Sequence, residues 1–299
     1  MHHFGRSHKG TSRRCDRVVS LVVGTVLTAS SISAQAPSRL TADLAPTVDQ
    51  LLDRMGAYLA EYETQLSSVV ATEKFEQNIY GSSAGRTLES EIAFIRLPGG
   101  AEWLGFRDVR KVNWKAVKTG GPSIGEVLTS AAGDMTKAHA IANASAKHNL
   151  GLPRTVNVPT APLDIIHPMH RNAHAYELLG EETVRGTRTA IVAFREVARP
   201  TLVREPDGKY LISSGRVWID AAIGTVWRVE WIYQAEKRTA SAPPPPRLRV
   251  EFAPNQELGI MVPRSMTEEF SVQRGRGRGH ATYTNFRRFG TSARIVPQP

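Results

Sequence analysis

Apolar and polar positions alternate most regularly near the centre of the chain, in residues 215–233. In the second half of this stretch one face carries only apolar side chains, which are Trp227, Val229, Trp231 and Tyr233. Arg228 and Glu230 fall on the opposite face, and in the first half Trp218 falls opposite Val217. A period of two is typical of a sheet with one covered face, so the pattern predicts a β-hairpin.

The same alternation predicts further strands on both sides of this hairpin. The predicted strands cover residues 73–80, 87–97, 103–112, 176–184, 188–197, 209–213, 247–252, 260–272 and 281–289. We expect Pro263 to interrupt its strand, because proline cannot donate a hydrogen bond to a neighbouring strand. The predicted strands do not alternate with helices, which favours an antiparallel sheet over a parallel one.

Residues 47–70 have the different, three-and-four spacing of an amphipathic helix. Its apolar positions are Val48, Leu51, Leu52, Met55, Leu59, Tyr62, Leu66, Val69 and Val70. Thr47 and Gln50 follow Pro46 with the spacing of a capping box. A single wide apolar stripe must be buried against another element, and the predicted sheet is the natural partner.

Residues 123–174 break the strand pattern and resemble an insert. Asp134 is suited to begin a helix that ends near Leu150, with Gly151 as its C-terminal stop. Residues 152–174 contain four prolines, which predicts a loop with at most one helical turn, at 163–166.

Residues 1–36 have the three parts of a secretory signal peptide. The basic region contains Arg6, Lys9, Arg13, Arg14 and Arg17. The apolar region, 18–29, is shorter than the roughly 20 residues of a membrane-spanning helix. Ala34-Gln35-Ala36 fits a cleavage site, so we expect an exported domain over residues 37–299, periplasmic or secreted. The alternative is an uncleaved anchor.

Composition changes this picture in two ways. Cys15 is the only cysteine and lies in the predicted signal, so the mature chain should contain no disulfide and no thiolate. The net charge of +10 is compatible with contact to an anionic membrane surface, although ordinary surface charge is the alternative. Nucleic acid is not an expected partner of an exported protein.

Four phrases in the second half of the chain follow one order. They are GEETVRGTRTAIVAF (180–194), GRVWID with GTVWRVEW (215–231), MVPRSMTEEF (261–270) and ATYTNFRRF (281–289). In this order they resemble the outer-membrane lipoprotein carrier (LolA/LolB-like) superfamily of periplasmic half-barrels, and more closely uncharacterised exported bacterial proteins. The resemblance spans residues 176–289. It implies an α+β fold in which a strongly curved antiparallel sheet packs on the N-terminal helix and leaves an apolar cavity. The insert at 123–174 departs from that family pattern.

The resemblance also indicates a non-catalytic binding function. The expected ligand is lipophilic, or a lipoprotein or other envelope partner. The residues expected to contact it are Trp218, Trp227, Val229, Trp231 and Tyr233. The alternative is that Trp227 and Trp231 only fill the core beneath the helix.

Three histidines suggest a competing, catalytic hypothesis. His167, His170 and His174 have spacings that suit one side of a helical turn, and histidine is a common metal ligand. Pro168 opposes a regular helix there, and Arg171 would repel a cation. We therefore expect no metal and no cofactor, and retain a metal-dependent hydrolase only as an alternative.

A run of alternating arginine and glycine precedes the last predicted strand. Arg274, Arg276 and Arg278 are candidates for binding anions such as polyanions or lipid head groups. They suggest a third hypothesis, a structural envelope protein that contacts polyanionic surfaces. The alternative is a flexible hairpin loop whose glycines serve the turn. Neither a Gly-x-Ser-x-Gly nor a His-Glu-x-x-His motif is present, so no catalytic residue is predicted.

Overall fold

One antiparallel sheet of twelve strands forms the frame of the molecule. The computed structural model describes residues 45–67, 69–96, 103–117, 124–129, 135–151, 153–205, 208–237, 239, 242, 244–272 and 275–289. The strands are β1 (Val69–Ile79), β2 (Gly85–Arg96), β3 (Trp103–Val112), β4 (Lys115–Ala116), β5 (His174–Val184), β6 (Thr187–Glu196), β7 (Val203–Arg204), β8 (Tyr210–Asp220), β9 (Val226–Ala235), β10 (Arg247–Asn255), β11 (Ile260–Val272) and β12 (Gly275–Arg288).

The strand order makes the sheet an open half-barrel. It runs β4-β3-β2-β1-β12-β11-β10-β9-β8-β6-β5, and the short β7 pairs with β8 beside this path. In the described chain β4 and β5, at the two ends, do not pair with each other, so the curved sheet stays unclosed. The predicted α+β half-barrel is therefore confirmed.

Helix α1 (Val48–Leu66) begins at the predicted capping box, in which Thr47 and Gln50 exchange side-chain to backbone hydrogen bonds. The helix ends earlier than predicted. Val69 and Val70 begin β1 and lie buried on opposite faces of the sheet. Branching at Cβ restricts valine in a helix and suits it to a strand, which explains why these two residues leave the helical pattern.

The face of the sheet that α1 covers, here called the inner face, carries the main core. Leu51, Leu59 and Leu66 of α1 are each at most 1% exposed and pack with inward side chains of the strands. Two glycines allow the close approach of other elements to α1. A Cβ atom on Gly224, in the β8–β9 turn, would collide with the backbone of Arg54, and one on Gly56 would lie 3.3 Å from Pro168.

The described residues of the insert form three short helices and a 3-10 helix. These are α2 (Ile124–Thr129), α3 (Met135–Ala146), α4 (Ala161–Ile165) and the 3-10 helix Pro168–Ala173. Ile124 of α2 packs against Val70 and Ala93 on the opposite, outer face of the sheet. By contrast, α4 contacts β3 and β9 and contributes Leu163 to the main core.

Three strand predictions need correction. Residues 275–280, considered as a flexible loop, form the first half of β12, with Gly277 and Gly279 buried and Arg276 and Arg278 exposed. The predicted strand 209–213 is not separate, because residues 210–213 form the beginning of β8. Pro263 does not interrupt β11, because the register shifts between Glu251 and Phe252 opposite it and the ladder continues.

Residues 45–299 form one compact unit. Within the described residues, no helix is long and apolar enough to cross a bilayer. The predicted signal peptide, with Cys15 and the site after Ala36, lies outside the described residues.

Candidate ligand-binding site

The apolar strip of β9, which consists of Trp227, Val229, Trp231 and Tyr233, lies on the inner face. Val229 and Trp231 are at most 1% exposed, and Trp227 and Tyr233 are partly buried against the same core. The rings of Trp231 and Tyr233 are in contact, with centroids 4.8 Å apart. Four predicted ligand residues therefore share one surface.

Side chains of α1 fill the space above part of this inner wall. Tyr58 stacks on Tyr62 at 5.3 Å, and Tyr62 meets the edge of Phe252 at 6.4 Å. Burial raises the pKa of both tyrosine hydroxyls. The indole nitrogens of Trp227 and Trp231 are buried without a hydrogen-bond partner in the described part of the chain. This half of the wall is apolar, and its few polar atoms are poorly satisfied.

Trp218 does not belong to this surface. It lies on the outer face, where its Nε1 donates a hydrogen bond to Oε2 of Glu182 at 2.7 Å. The guanidinium groups of Arg228 and Arg216 lie over its ring, 4.8 and 5.3 Å from the centroid. From the sequence, Trp218 is predicted to lie with the ligand-contacting residues of β9. It lies on the other face instead, because alternate side chains of β8 point to opposite faces of the sheet.

The inner face also carries buried charges, which the sequence did not reveal. Glu73 of β1 and Arg107 of β3 are 0% and 3% exposed and form an ion pair. Arg107 Nη2 donates to Glu73 Oε1 at 2.8 Å, and its Nε donates to the other carboxylate oxygen. The guanidinium also lies 5.0 Å from the ring centre of Phe75. Burial opposes the charged form of Arg107, but Glu73 outweighs this and raises its pKa.

A second buried ion pair joins the insert to β11. Arg154 Nε donates to Glu268 Oε1 at 2.6 Å, and Arg154 Nη2 donates to Glu268 Oε2 at 3.3 Å. Arg154 Nη2 also donates to Gln77 Oε1 at 3.1 Å. Asn157 connects the two pairs, since its Nδ2 lies 3.3 Å from Glu268 Oε2 and its Oδ1 3.3 Å from Arg107 Nη1.

The part of the insert that carries these groups, residues 147–151 and 153–160, is here called the strap. Side chains make its hydrogen bonds to the sheet. Gln77 Oε1 accepts from the Leu150 amide at 2.9 Å, and Arg86 Nη1 donates to the carbonyls of His148 and Asn149. The strap has no regular strand or helix of its own. It closes the inner face through individual polar contacts and through Val156 and Val158, which pack on the sheet.

A narrow cleft marks the junction between the strap and the apolar strip. Its lining residues are Val156, Asn157, Tyr233, Pro246, Arg247, Leu248 and Glu268. It is too narrow for a water molecule in this structure. The cleft joins an apolar wall, formed by Tyr233 and Leu248, to the buried carboxylate of Glu268.

The three candidate metal-binding histidines have separate structural roles. His167 Nε2 contacts Oε1 of Glu63 at 2.7 Å, and its Nδ1 accepts from the amide of Met169. His174 Nδ1 lies 3.0 Å from the carbonyl oxygen of His170. Burial lowers the pKa of His170 and His174. The described residues contain no group of three side chains arranged to hold a metal ion.

The arginines proposed as an anion site are not gathered into one. Arg276 Nη2 donates to Oε2 of Glu269 at 2.7 Å, which neutralises its charge locally. Arg278 lies with His280 in an open polar groove of about 570 Å³ on the outer face. Arg274 lies outside the described residues.

No family model matches the chain, and no curated protein does. Solved structures give weak similarities. A DUF1329 family protein from Desulfovibrio piger is 13% identical, over 81% of this chain and 92% of that one, with a TM-score of 0.40. A LolA superfamily protein from Nitrosomonas europaea is 12% identical over 85% and 99%, with a TM-score of 0.36. Lipoprotein LppX of Mycobacterium tuberculosis is 11% identical over 80% and 96%, with a TM-score of 0.26.

At these identities and TM-scores the similarities carry no argument about a ligand or a partner. The sheet itself, unclosed and covered on its inner face by α1 and α4, has the half-barrel architecture that the sequence predicts.

Proposed function

We propose that this chain is an exported, non-catalytic binding protein whose half-barrel holds a lipophilic ligand against its inner wall. One observation carries the proposal. The apolar strip of β9 leads into a cleft that the strap borders with Val156 and Asn157, and side-chain hydrogen bonds help to hold the strap in place. The proposed ligand residues are Trp227, Val229, Trp231 and Tyr233.

Polar groups hold most of the strap on the sheet, and Val156 and Val158 add apolar contacts. Its polar groups exchange protein partners for water when it leaves the sheet, and such an exchange changes the free energy by only about 0.5–1.5 kcal/mol for each hydrogen bond. The attraction between the two charges of its buried ion pair is roughly balanced by the cost of removing both charges from water. Lifting α1 would instead expose Leu51, Leu59 and Leu66, at ~1.5–3 kcal/mol for each side chain.

A lipophile suits the wall that this opening uncovers. Tyr233 and Leu248 line the cleft, and Trp231 contacts Tyr233 behind them. Apolar area removed from water stabilises a complex by about 25 cal/mol per Å², before the cost of association. An acyl-sized chain that replaces the strap along β9 and β10 gains this term.

Nile red, an uncharged lipophilic dye, tests the proposal. Purified, delipidated protein should bind it saturably. Tyr233→Ala should weaken binding severalfold, because Tyr233 lines the cleft. Ile232→Ala is the matched control, since the neighbouring side chain points to the outer face and should leave the affinity unchanged.

Two results would contradict the proposal. If folded, monomeric protein takes up no dye saturably, or if both variants behave alike, the inner wall is a packed core and not a binding site. Circular dichroism of each variant separates a lost site from a lost fold.

Export belongs to the proposal as well. Protein recovered from the cell envelope should have the intact mass of a chain that begins at Pro37. A full-length chain confined to the cytoplasm would contradict export.

A second candidate function, binding of an envelope protein, is favoured by the free edge of β5. In the described chain β5 pairs only with β6, and Leu178 and Leu179 on it are 41% and 50% exposed. Such an edge accepts an extended segment as an additional strand. A photo-crosslinking residue at position 179 should then give a discrete adduct in cells, whereas one at position 80 should not. Equal adducts at both positions would refute it.

A further inference from the structure

We propose that the inner wall contains a cation-binding subsite and that the chain's own Arg154 occupies it when the strap is closed. The ligand class that follows is an amphiphile with a cationic head group, such as an alkylammonium or alkylguanidinium. This inference rests on the proposed function, because it identifies the head group of the same ligand.

Three groups on the sheet surround the guanidinium of Arg154. Glu268 accepts from its Nε at 2.6 Å, and Gln77 accepts from its Nη2 at 3.1 Å. The ring of Phe270 lies 3.7 Å from its Cζ atom. A carboxylate, an amide oxygen and an aromatic face are the groups that bind organic cations in proteins.

The strand beneath this subsite is shaped for it. A Cβ atom on Gly277 would collide with the ring of Phe270, and one on Gly279 would lie 3.4 Å from Oε2 of Glu268. Gly277 therefore lets the ring of Phe270 lie flat on β12, and Gly279 leaves room for the ring of Phe75 beside Glu268. The sheet supplies the three groups that surround the cation, and the strap supplies the cation together with two further donors, the Asn157 side chain and the Leu150 amide.

Opening of the strap removes hydrogen-bond partners from charged groups of the sheet, among them Arg86 and Glu268. Glu73 keeps its partner, because Arg107 belongs to β3. Glu268 loses Arg154 and Asn157, which are its hydrogen-bond donors among the described residues, and both belong to the strap. A carboxylate in an apolar surrounding is stabilised by a cation and repels an anion.

The tail of such a ligand has a continuous path from this charge. Glu268 lines the cleft together with Tyr233 and Leu248, which lead to Trp231 in the apolar strip. The ligand would thus replace the strap, with its cationic head paired to Glu268 and its aliphatic tail packed along β9 and β10.

Displacement of bound Nile red by octylammonium and octanoate tests the charge preference at constant tail length. We expect octylammonium to displace the dye at a concentration at least about ten-fold lower than octanoate does. The carboxylate of octanoate would lie beside that of Glu268, and such a contact between like charges is strongly unfavourable. Glu268→Gln should abolish the preference. Glu269→Gln is the matched control, since the next residue pairs with Arg276 on the outer face.

The outcomes distinguish the two claims. Equal displacement by both compounds, or a preference for octanoate, overturns the cation subsite and leaves the lipophile-binding function standing. A preference that survives Glu268→Gln also overturns it. Absence of dye binding refutes the proposed function itself, and the next experiment then decides on the subsite alone.

Chemical rescue tests the subsite without a lipophile. Arg154→Ala leaves the position of the guanidinium open, so millimolar methylguanidinium chloride should raise the Tm of this variant relative to equal sodium chloride. The wild type and the double variant Arg154→Ala/Glu268→Gln should not respond. If Arg154→Ala does not fold unaided, recovery of folded protein on refolding with methylguanidinium, and not with sodium, is the expected result. No specific rescue in either form would contradict the proposal.

Discussion

The two halves of the inner face are closed in opposite ways. Beneath α1 the wall is apolar, and Leu59, Phe252 and Trp231 are all at most 1% exposed. Beneath the strap the wall carries the ion pairs Glu73–Arg107 and Arg154–Glu268, which are buried almost as deeply. Apolar packing is not directional, and separating packed side chains exposes them to water at a cost in free energy. The charged groups of an ion pair can instead be hydrated when the pair separates. The comparison indicates that one half is a permanent core and the other a removable cover.

Breaking a pair in the polar half should have the largest effect. Glu73→Leu leaves Arg107 buried and unpaired, which we expect to lower the free energy of unfolding by about 3–5 kcal/mol. Adding Arg107→Met should recover most of this loss, because two apolar side chains can replace a buried pair at little cost. Urea unfolding measures both. If the double variant is no more stable than the single one, the cluster holds more than a replaceable pair.

In the apolar half, stability should depend on the volume of the buried side chains and not on an ion-pair partner. Leu59→Ala should cost about 2–5 kcal/mol, because the cavity remains beneath a docked helix. Thr64→Ala, at an exposed position of α1, should change stability by less than about 0.5 kcal/mol. Thermal unfolding compares the two. An unchanged Tm for Leu59→Ala would show that α1 is not docked.

A smaller effect should come from the floor of the polar half. Gly279→Ala places a Cβ atom 2.5 Å from the ring of Phe75. Overpacking of this kind costs about 1–3 kcal/mol. Thr282→Ala, exposed on the same strand, is the control, and both are compared by urea unfolding. Equal stability would mean that the Phe75 ring moves aside freely.

The smallest effect should be a pH dependence at the edge of the apolar half. Burial lowers the pKa of His174 below its unfolded value, although the carbonyl of His170 and the carboxylate of Glu196 oppose this. The unfolded chain then binds more protons, so stability should fall as pH drops below about 6.5.

Replacement of this histidine tests that direction. His174→Asn should flatten the decline in Tm between neutral and mildly acidic pH, and His280→Asn on the outer face should not. A steeper decline in the first variant would show that the sign is wrong.

The sequence predicted elements whose signals are periodic. The capping box at Thr47 and the bounds of β3 and β11 were correct, because spacing alone determines them. Repeated glycines hid the first half of β12, since glycine usually indicates a turn. Here the glycines of β12 make room for the rings of Phe75 and Phe270.

The candidate site was only half predictable, for a related reason. The apolar strip lies within seven consecutive residues, so its period is visible. The polar cluster joins Glu73, Arg107, Arg154 and Glu268 from four distant parts of the chain. No local pattern connects such residues. Only the pairing of β1 with β12, and of β12 with β11, brings these carboxylates onto one wall.

Native-state hydrogen exchange tests most directly whether the polar half is a removable cover. We expect amides of the strap, such as the Leu150 amide that donates to Gln77, to exchange through a local opening. The free energy of this opening should be several kcal/mol lower than that of global unfolding. Amides of α1 and of β9 should exchange only with global unfolding. If the strap and α1 show the same opening free energy and the same denaturant dependence, the two halves form one core and the account is wrong.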